Sequence, residues 1–576
     1  MLKKTLAVML MCITMTIQLN NYKVEAVSYK PPYETVDGGR VAQNMPTVVN
    51  LENAKEKVLV AEHTFTGGKD FGNNIISFAG VNASESVVTY EDDLLKIVKA
   101  EDDLKATQVT FKYTGEVTAG DYYVFTCDMK FEDLTYSGTG IPKTLIESYK
   151  TVNGLPKFIS GIGTHDSKLE MIAKSKGNAD WYTMSQIIKA PEQVEYLNLS
   201  AYISKNTTGT IYYDNFRLYK ISMDPMDCLL ISPTYKGLIF EDGYADINLD
   251  VKLAESSFYR LESMELEVKL IDANDNVYRY AKVENLSELM NFTFSSAGLE
   301  IGEYYLVSIL TDASTGDIIS KKEQTIRRTN DKPDTYINHK GNLVRYGEKK
   351  FFKKILTYNT NVELTSLEKL ATIAPEAGID SLSVYSMWWI TPENETVING
   401  KAKLLENNMR MHLTLGGYWW SNFGGQANMF ETLVEKQEDI VPLFKNITDA
   451  YKNEEYLEGY YVFDEPRPDI EGDEIRWNNE ILAQFDINHP TFGIADKDFD
   501  VYGAYVGTTD VLGVDPYPIY GKDTDKIENV GKAVREAKKN FPNRPVYLVL
   551  QCFNWANDMK DDTFRSPNLA ELRNMA

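Results

Sequence analysis

The chain has 576 residues, 43% of them hydrophobic, 12% aromatic and 25% charged, with a formal net charge of −24. That length implies several domains, and a surface so acidic repels phosphate backbones, which excludes nucleic acid as a partner class. Of the four cysteines one is Cys12; the remaining Cys127, Cys228 and Cys552 fall in three different regions. They make no disulfide framework and read as small buried hydrophobes.

The first element is a leader. Met-Leu-Lys-Lys, an apolar run from Leu6 to Ile17 and Val24-Glu25-Ala26 give a basic n-region, an h-region too short to span a bilayer and a small-x-small cleavage site. Residues 1–26 read as a signal peptide, so a secreted, extracellular protein is expected, and 27–54 read as a linker. Cys12 lies inside the apolar run, which argues against a lipoprotein anchor. No later stretch is apolar enough for a transmembrane segment.

From 55 to 221 the chain alternates at period two. Tyr123, Phe125, Cys127, Met129 and Phe131 face one way and their neighbours the other; Leu197, Leu199, Ala201 and Ile203 repeat the pattern. Many short strands without helices predict a β-sandwich or jelly roll. Its closing strand, Thr210-Ile-Tyr-Tyr-Asp-Asn-Phe-Arg-Leu-Tyr-Lys, resembles the last strand of jelly-roll carbohydrate-binding modules of the cellulose- and xylan-binding type. The resemblance implies a structural calcium, with Asp214 as its candidate ligand; the other reading is an exposed strand Asp.

Residues 222–330 alternate more cleanly. Ile247, Leu249, Val251 and Leu253, and then Met264, Leu266, Val268 and Leu270, interleave with polar residues. One buried and one wet face predict an immunoglobulin-like β-sandwich acting as a spacer.

Beyond Lys332-Pro333 the period changes. Thr365-Ser-Leu-Glu368 is a capping box, Gly378 a helix stop, and Ile527, Val530, Val534 and Ala537 lie at helical spacing. Strand candidates end near Tyr358, Met387, Leu415, Phe463, Ala495, Val514 and Leu550. Strands alternating with helices predict parallel βα units, and this succession points to a (β/α)8 TIM-type barrel over 331–576. Ser566-Pro567 opens one more helix, and no eighth strand is found before Ala576, so the barrel is expected to be C-terminally incomplete.

The chemistry gathers at the strand ends. Leu457-Glu-Gly-Tyr-Tyr-Val-Phe-Asp-Glu-Pro466 is an apolar strand ending in two carboxylates and a proline, the place where barrel enzymes build active sites. Together with Gly341-Asn-Leu-Val-Arg-Tyr-Gly-Glu-Lys-Lys-Phe-Phe, the entry to the first strand, it resembles the retaining-clan barrel glycoside hydrolases. The resemblance implies that Glu465 is the acid/base and that Asp464 replaces the usual Asn. It departs from the pattern at the seventh strand end, where Gln551 stands in place of the nucleophilic Glu. Three explanations stay open: a catalytically dead barrel, an inverting enzyme, or a second carboxylate from elsewhere.

Asp515, in Leu512-Gly-Val-Asp-Pro-Tyr-Pro, is the candidate second carboxylate; equally it reads as a turn cap ahead of Pro516. Asp496 is a weaker one. Tyr358, Trp388, Trp389, Tyr418, Trp419, Trp420, Tyr517 and Trp555 follow strand ends and offer flat faces for sugar rings, as substrate-binding residues do. His412 reads as a core histidine. No spacing specifies a catalytic metal, so no cofactor is expected for catalysis. The expected function is hydrolysis of glycosidic bonds in a polysaccharide or glycan. The alternative is a carbohydrate-binding or cell-surface interaction protein with a degenerate barrel.

Overall fold

The structure, a computed structural model, describes residues 51–66, 76–82, 86–100, 105–136, 143–162, 177–205, 207–240, 246–349, 354–357, 365–384, 395–415, 440–466, 468–495, 502–503, 505–519, 526–552 and 565–575. It is mostly β-sheet with few helices. It divides into two compact units, one holding Phe352–Asp464 and Asn478–Gly493, the other Pro46–Phe351, Glu465–Trp477 and Ile494–Ala576.

In the second unit the first eleven strands are β1 (Glu56–His63), β2 (Ile76–Asn82), β3 (Val87–Glu91), β4 (Leu94–Lys99), β5 (Thr107–Tyr113), β6 (Tyr122–Tyr136), β7 (Lys143–Val152), β8 (Leu155–Ile162), β9 (Gly177–Lys189), β10 (Tyr196–Ile203) and β11 (Thr207–Ser222). They form two antiparallel sheets: β3-β4-β11-β6-β9, with β1 also paired to β11, and β2-β5-β10-β7-β8. The alternation read in the sequence is the burial alternation. Phe125, Cys127 and Met129 from one sheet, and Leu197, Leu199 and Ala201 from the other, enter one buried cluster. Strand β11 is long enough to pair β4 and then β1 along one edge while β6 runs along the other. Gly209 is required here: at φ 125° it passes so close to Asp133 O and the Leu134 Cα that a Cβ would strike backbone.

The next eight strands are β12 (Met226–Ser232), β13 (Leu238–Ile239), β14 (Asp246–Leu253), β15 (Met264–Asp272), β16 (Val277–Val283), β17 (Leu289–Ser295), β18 (Gly302–Asp312) and β19 (Ile318–Arg328). Sheets β12-β14-β17 and β13-β19-β18-β15-β16 share a second buried cluster, to which Ile247, Leu249, Val251 and Leu266, Val268, Leu270 contribute. Here too the predicted inward positions are the buried ones.

In the first unit β23 (Lys354–Thr357), β24 (Ser381–Val384), β25 (Arg410–Thr414) and β26 (Leu457–Asp464) pair in parallel in chain order, with helices Thr365–Ile373, Glu395–Glu406 and Ile440–Tyr451 between them; the short β20 (Thr335–Ile337), β21 (Leu343–Arg345) and β22 (Glu348–Lys349) precede them in the other unit. Strand β27 (Thr491–Ala495) begins in the first unit. In the second, β28 (Val511–Val514) pairs in parallel with β29 (Val546–Leu548), and helix Glu528–Asn540 joins them. All seven strands lie within a few residues of the expected positions.

Two expectations are corrected. The last helix spans Leu569–Met575, so Ser566-Pro567 does not open it. Asn568 caps it instead: Ala570 N–H and Glu571 N–H donate to Asn568 Oδ1, and Asn568 N–H donates back to Glu571 Oε2. This is a capping box in which Asn replaces Ser or Thr, and Arg565 beside Glu571 holds that carboxyl down at about 2. Cys127 and Cys228 are buried as expected, but Cys552 is exposed.

Candidate functional site

Strand β26 is buried from Leu457 through Phe463, as a fully covered parallel strand requires, and only at Asp464 does it begin to open to solvent. Tyr461 Oη–H donates to Asp464 Oδ1 at 2.7 Å. The next residue, Glu465, is exposed and has φ 45°, in the left-handed region. A non-glycine residue there costs roughly 1–2 kcal/mol. The strand's alternation therefore stops at Asp464, and the two carboxylates are not bound to opposite faces by the pleat. Glu465 N–H still reaches Ile494 O at 2.8 Å, and Tyr505 Oη–H donates to Pro466 O at 2.9 Å, so the turn is held by its backbone.

Asp515, directly after β28, is buried, and Tyr517 is half-buried. Gln551 is buried and spends both ends of its amide on one residue. Ile519 N–H donates to Gln551 Oε1 at 2.9 Å and Gln551 Nε2–H donates to Ile519 O at 2.8 Å. Thus Gln551 is tied to the loop that bears Asp515. His412 is buried and stacks on Phe492 with ring centroids 4.0 Å apart, the core role expected of it. Tyr358, Trp388, Trp389, Tyr418, Trp419, Trp420, Trp555 and Asp496 lie outside the described residues.

The sequence reading missed a second surface, the outer face of sheet β2-β5-β10-β7-β8. Tyr149 and Tyr196 stand directly opposite one another and stack, with centroids 5.6 Å apart and planes inclined by 8°. Phe158 meets Tyr149 edge-on at 5.7 Å. The next cross-strand row is Lys112, Asn198 and Glu147, and Lys112 Nζ lies 3.5 Å from the Tyr196 ring centroid. Burial raises the Glu147 carboxyl above the usual range, against hydrogen bonds from Tyr149 and Gln108 that lower it. Thr110 and Ser200, 3.1 Å apart, form a low row beyond, and Gln108, Tyr202 and Lys143 another. The signal lay in the outward positions of two alternating strands, where rings and polar groups share one face.

Neither the family models nor the curated proteins include a match to this chain. Among solved structures it is similar to a β-glucuronidase from Ruminococcus gnavus in complex with a C6-substituted uronic isofagomine, at 9% identity and TM-score 0.30, over 79% of this chain and 76% of that one. A Bacteroides uniformis β-glucuronidase 2 gives 9% identity and TM-score 0.28, over 78% of this chain and 53% of that one. The Parabacteroides merdae β-glucuronidase gives 9% and 0.27, with 54% of that chain covered. TM-scores this low do not establish a shared fold.

Asp214 sits beside a second carboxylate rather than alone on its strand. It stands opposite Asp128 in the ladder; its Oδ1 accepts Asn215 N–H at 2.6 Å, and Asp128 accepts from Asn215 Nδ2 and Thr183 Oγ1. Among the described residues no group of three or more His, Cys, Asp or Glu side chains is placed to hold a metal. Burial first, and Asp128 after it, raise the Asp214 carboxyl. Raised in the folded state, it weakens the fold at pH values above its folded value and ceases to do so as pH falls below the ordinary carboxylate range. Asp214→Asn is therefore expected to stabilise the protein by about 0.2–1 kcal/mol near neutrality. Thermal unfolding with EDTA and with added calcium checks this: a midpoint that rises with calcium in the parent and not in the variant restores the calcium reading. Among the described residues no helix is long and apolar enough to cross a membrane.

Proposed function

We propose that this protein is secreted and hydrolyses glycosidic bonds in a polysaccharide, through a (β/α)-barrel-like region with Glu465 as general acid. The observation that carries the reading is the end of β26, where a buried strand delivers Asp464 to a tyrosine hydroxyl and turns Glu465 out at φ 45°. Glu465 gives its proton to the glycosidic oxygen as that C–O bond breaks. Water adds to the anomeric carbon and loses its proton to Asp515, and both carboxyls return to their starting states by exchange with solvent. With Asp515 acting as base on water rather than as nucleophile, hydrolysis runs with inversion.

In this reading the β2-β5-β10-β7-β8 face holds the chain being cut, exposed Phe158 and half-buried Tyr149 lying against sugar C–H faces, with Tyr196 buried behind them, and its polar row bonding hydroxyls. Tyr149→Ala removes the middle ring of the row. It is expected to weaken retention on an affinity gel carrying the polysaccharide by about fivefold or more, a loss of ~1–3 kcal/mol by analogy with ring stacking elsewhere. Unchanged retention sinks that surface. The second reading, a binding protein without turnover, is favoured by the engagement of Gln551. Reducing-end release from a polysaccharide panel separates the two: no release by the full chain on any substrate that it retains overturns the hydrolase.

A further inference from the structure

We infer that Gln551 is a positioning residue: it fixes the loop Asp515–Ile519, and through it the Asp515 carboxylate. Resting on the hydrolase reading, the inference concerns the same site, but its first half is a statement about the loop alone. The loop is closed at two points. Where it leaves β28, Val549 N–H donates to Val514 O at 2.9 Å; where it ends, the Gln551 amide takes both backbone groups of Ile519.

Side chain and backbone pair here as two strands would, and the pair is buried, where such bonds matter most because nothing replaces them once broken. Between the two closures lie Asp515, Pro516, Tyr517 and Pro518; the prolines fix two φ angles. Asp515 therefore has little room to move while Gln551 holds Ile519. A glutamate at 551, the residue of the retaining enzymes, would set a carboxylate oxygen against Ile519 O and lose the donor.

The test uses the full chain with Gln551→Leu and Gln551→Glu, and reads two things. The first is amide hydrogen exchange at Ile519 and Tyr517. Gln551→Leu removes both bonds and is expected to speed exchange at Ile519 by about tenfold or more, given ~1 kcal/mol for each bond. Gln551→Glu keeps the acceptor for Ile519 N–H and is expected to give a smaller rise. Unchanged exchange in both variants overturns the clamp, whatever the protein's activity.

The second readout is the kinetic split on the polysaccharide that the parent cleaves. A positioning role lowers kcat by about tenfold or more with KM little changed, more in Gln551→Leu than in Gln551→Glu. Faster exchange with an unchanged kcat overturns the positioning role and leaves a merely structural bond. The hydrolase reading has its own control: if Glu465→Gln leaves turnover untouched, that reading fails while the exchange result still decides the clamp. Should Gln551→Leu fail to fold, Gln551→Glu carries both readouts.

Discussion

Glu465→Gln is expected to lower polysaccharide hydrolysis by about 10²–10⁴-fold while leaving the unfolding midpoint in place, because a positioned general acid contributes on that order. The substitution keeps size, polarity and the demand for φ 45° at this position, so the turn has no reason to change. The bonds that hold it are backbone ones, from Glu465 N–H to Ile494 O and from Tyr505 to Pro466 O, and an amide side chain disturbs neither. Only the transferable proton is lost. Asp464→Asn makes a useful partner experiment, since the Asn carbonyl still accepts the Tyr461 hydroxyl. It removes the neighbouring negative charge, which shifts the pH profile of any acid at 465 rather than abolishing turnover. Rates are compared at saturating substrate on whichever polysaccharide the parent cleaves. A Glu465→Gln protein as active as the parent would sink the acid assignment. A Glu465→Gln protein that is inactive and also unstable would mean that the side chain holds the turn.

Most of the architecture was legible because burial enforces it. A strand with one wet face must alternate, and Phe125, Cys127 and Met129 do so in both sequence and structure. Parallel strands buried on both faces read as apolar runs, which is why β26 stood out. Side-chain pairing between distant strands was not legible. Tyr149 and Tyr196 stack only once β7 and β10 are in register, and nothing local to either announces the other. Gln551 was read as a missing nucleophile since its partner lies 32 residues away and is backbone. Backbone carries no sequence signature. Asn568 was passed over for Ser566-Pro567, although Asn is as good an N-cap as Ser and Glu571 completes its box. A glycine weakens a strand by propensity alone, yet at 459, 493 and 513 it is required, because a Cβ there would enter a neighbouring strand's aromatic ring: Phe492, Phe463 and Tyr547.

Gly459→Ala is therefore expected to be among the most damaging single-methyl changes in the protein, at about 2–4 kcal/mol. The added Cβ would fall well inside van der Waals contact of Pro490 O and of the Phe492 ring. Neither can move away alone. Pro490 O accepts the Tyr460 N–H at 3.0 Å, so displacing it breaks a backbone bond of β26 at a buried residue. Phe492 stacks on His412 at 4.0 Å, and His412 lies opposite Gly459 in the ladder, so tilting the ring opens a gap on the far side. Hydrogen exchange along Leu457–Asp464 under mild denaturant is the direct readout, since a protein of several domains does not unfold in one step. The strand's exchange should accelerate well beyond that of β6 or β15, which the change does not touch. A shift below about 1 kcal/mol would mean that β26 can slide to admit a methyl. In that case its end, with Asp464 and Glu465, is not a rigid support, and a catalytic reading of that turn loses its structural basis.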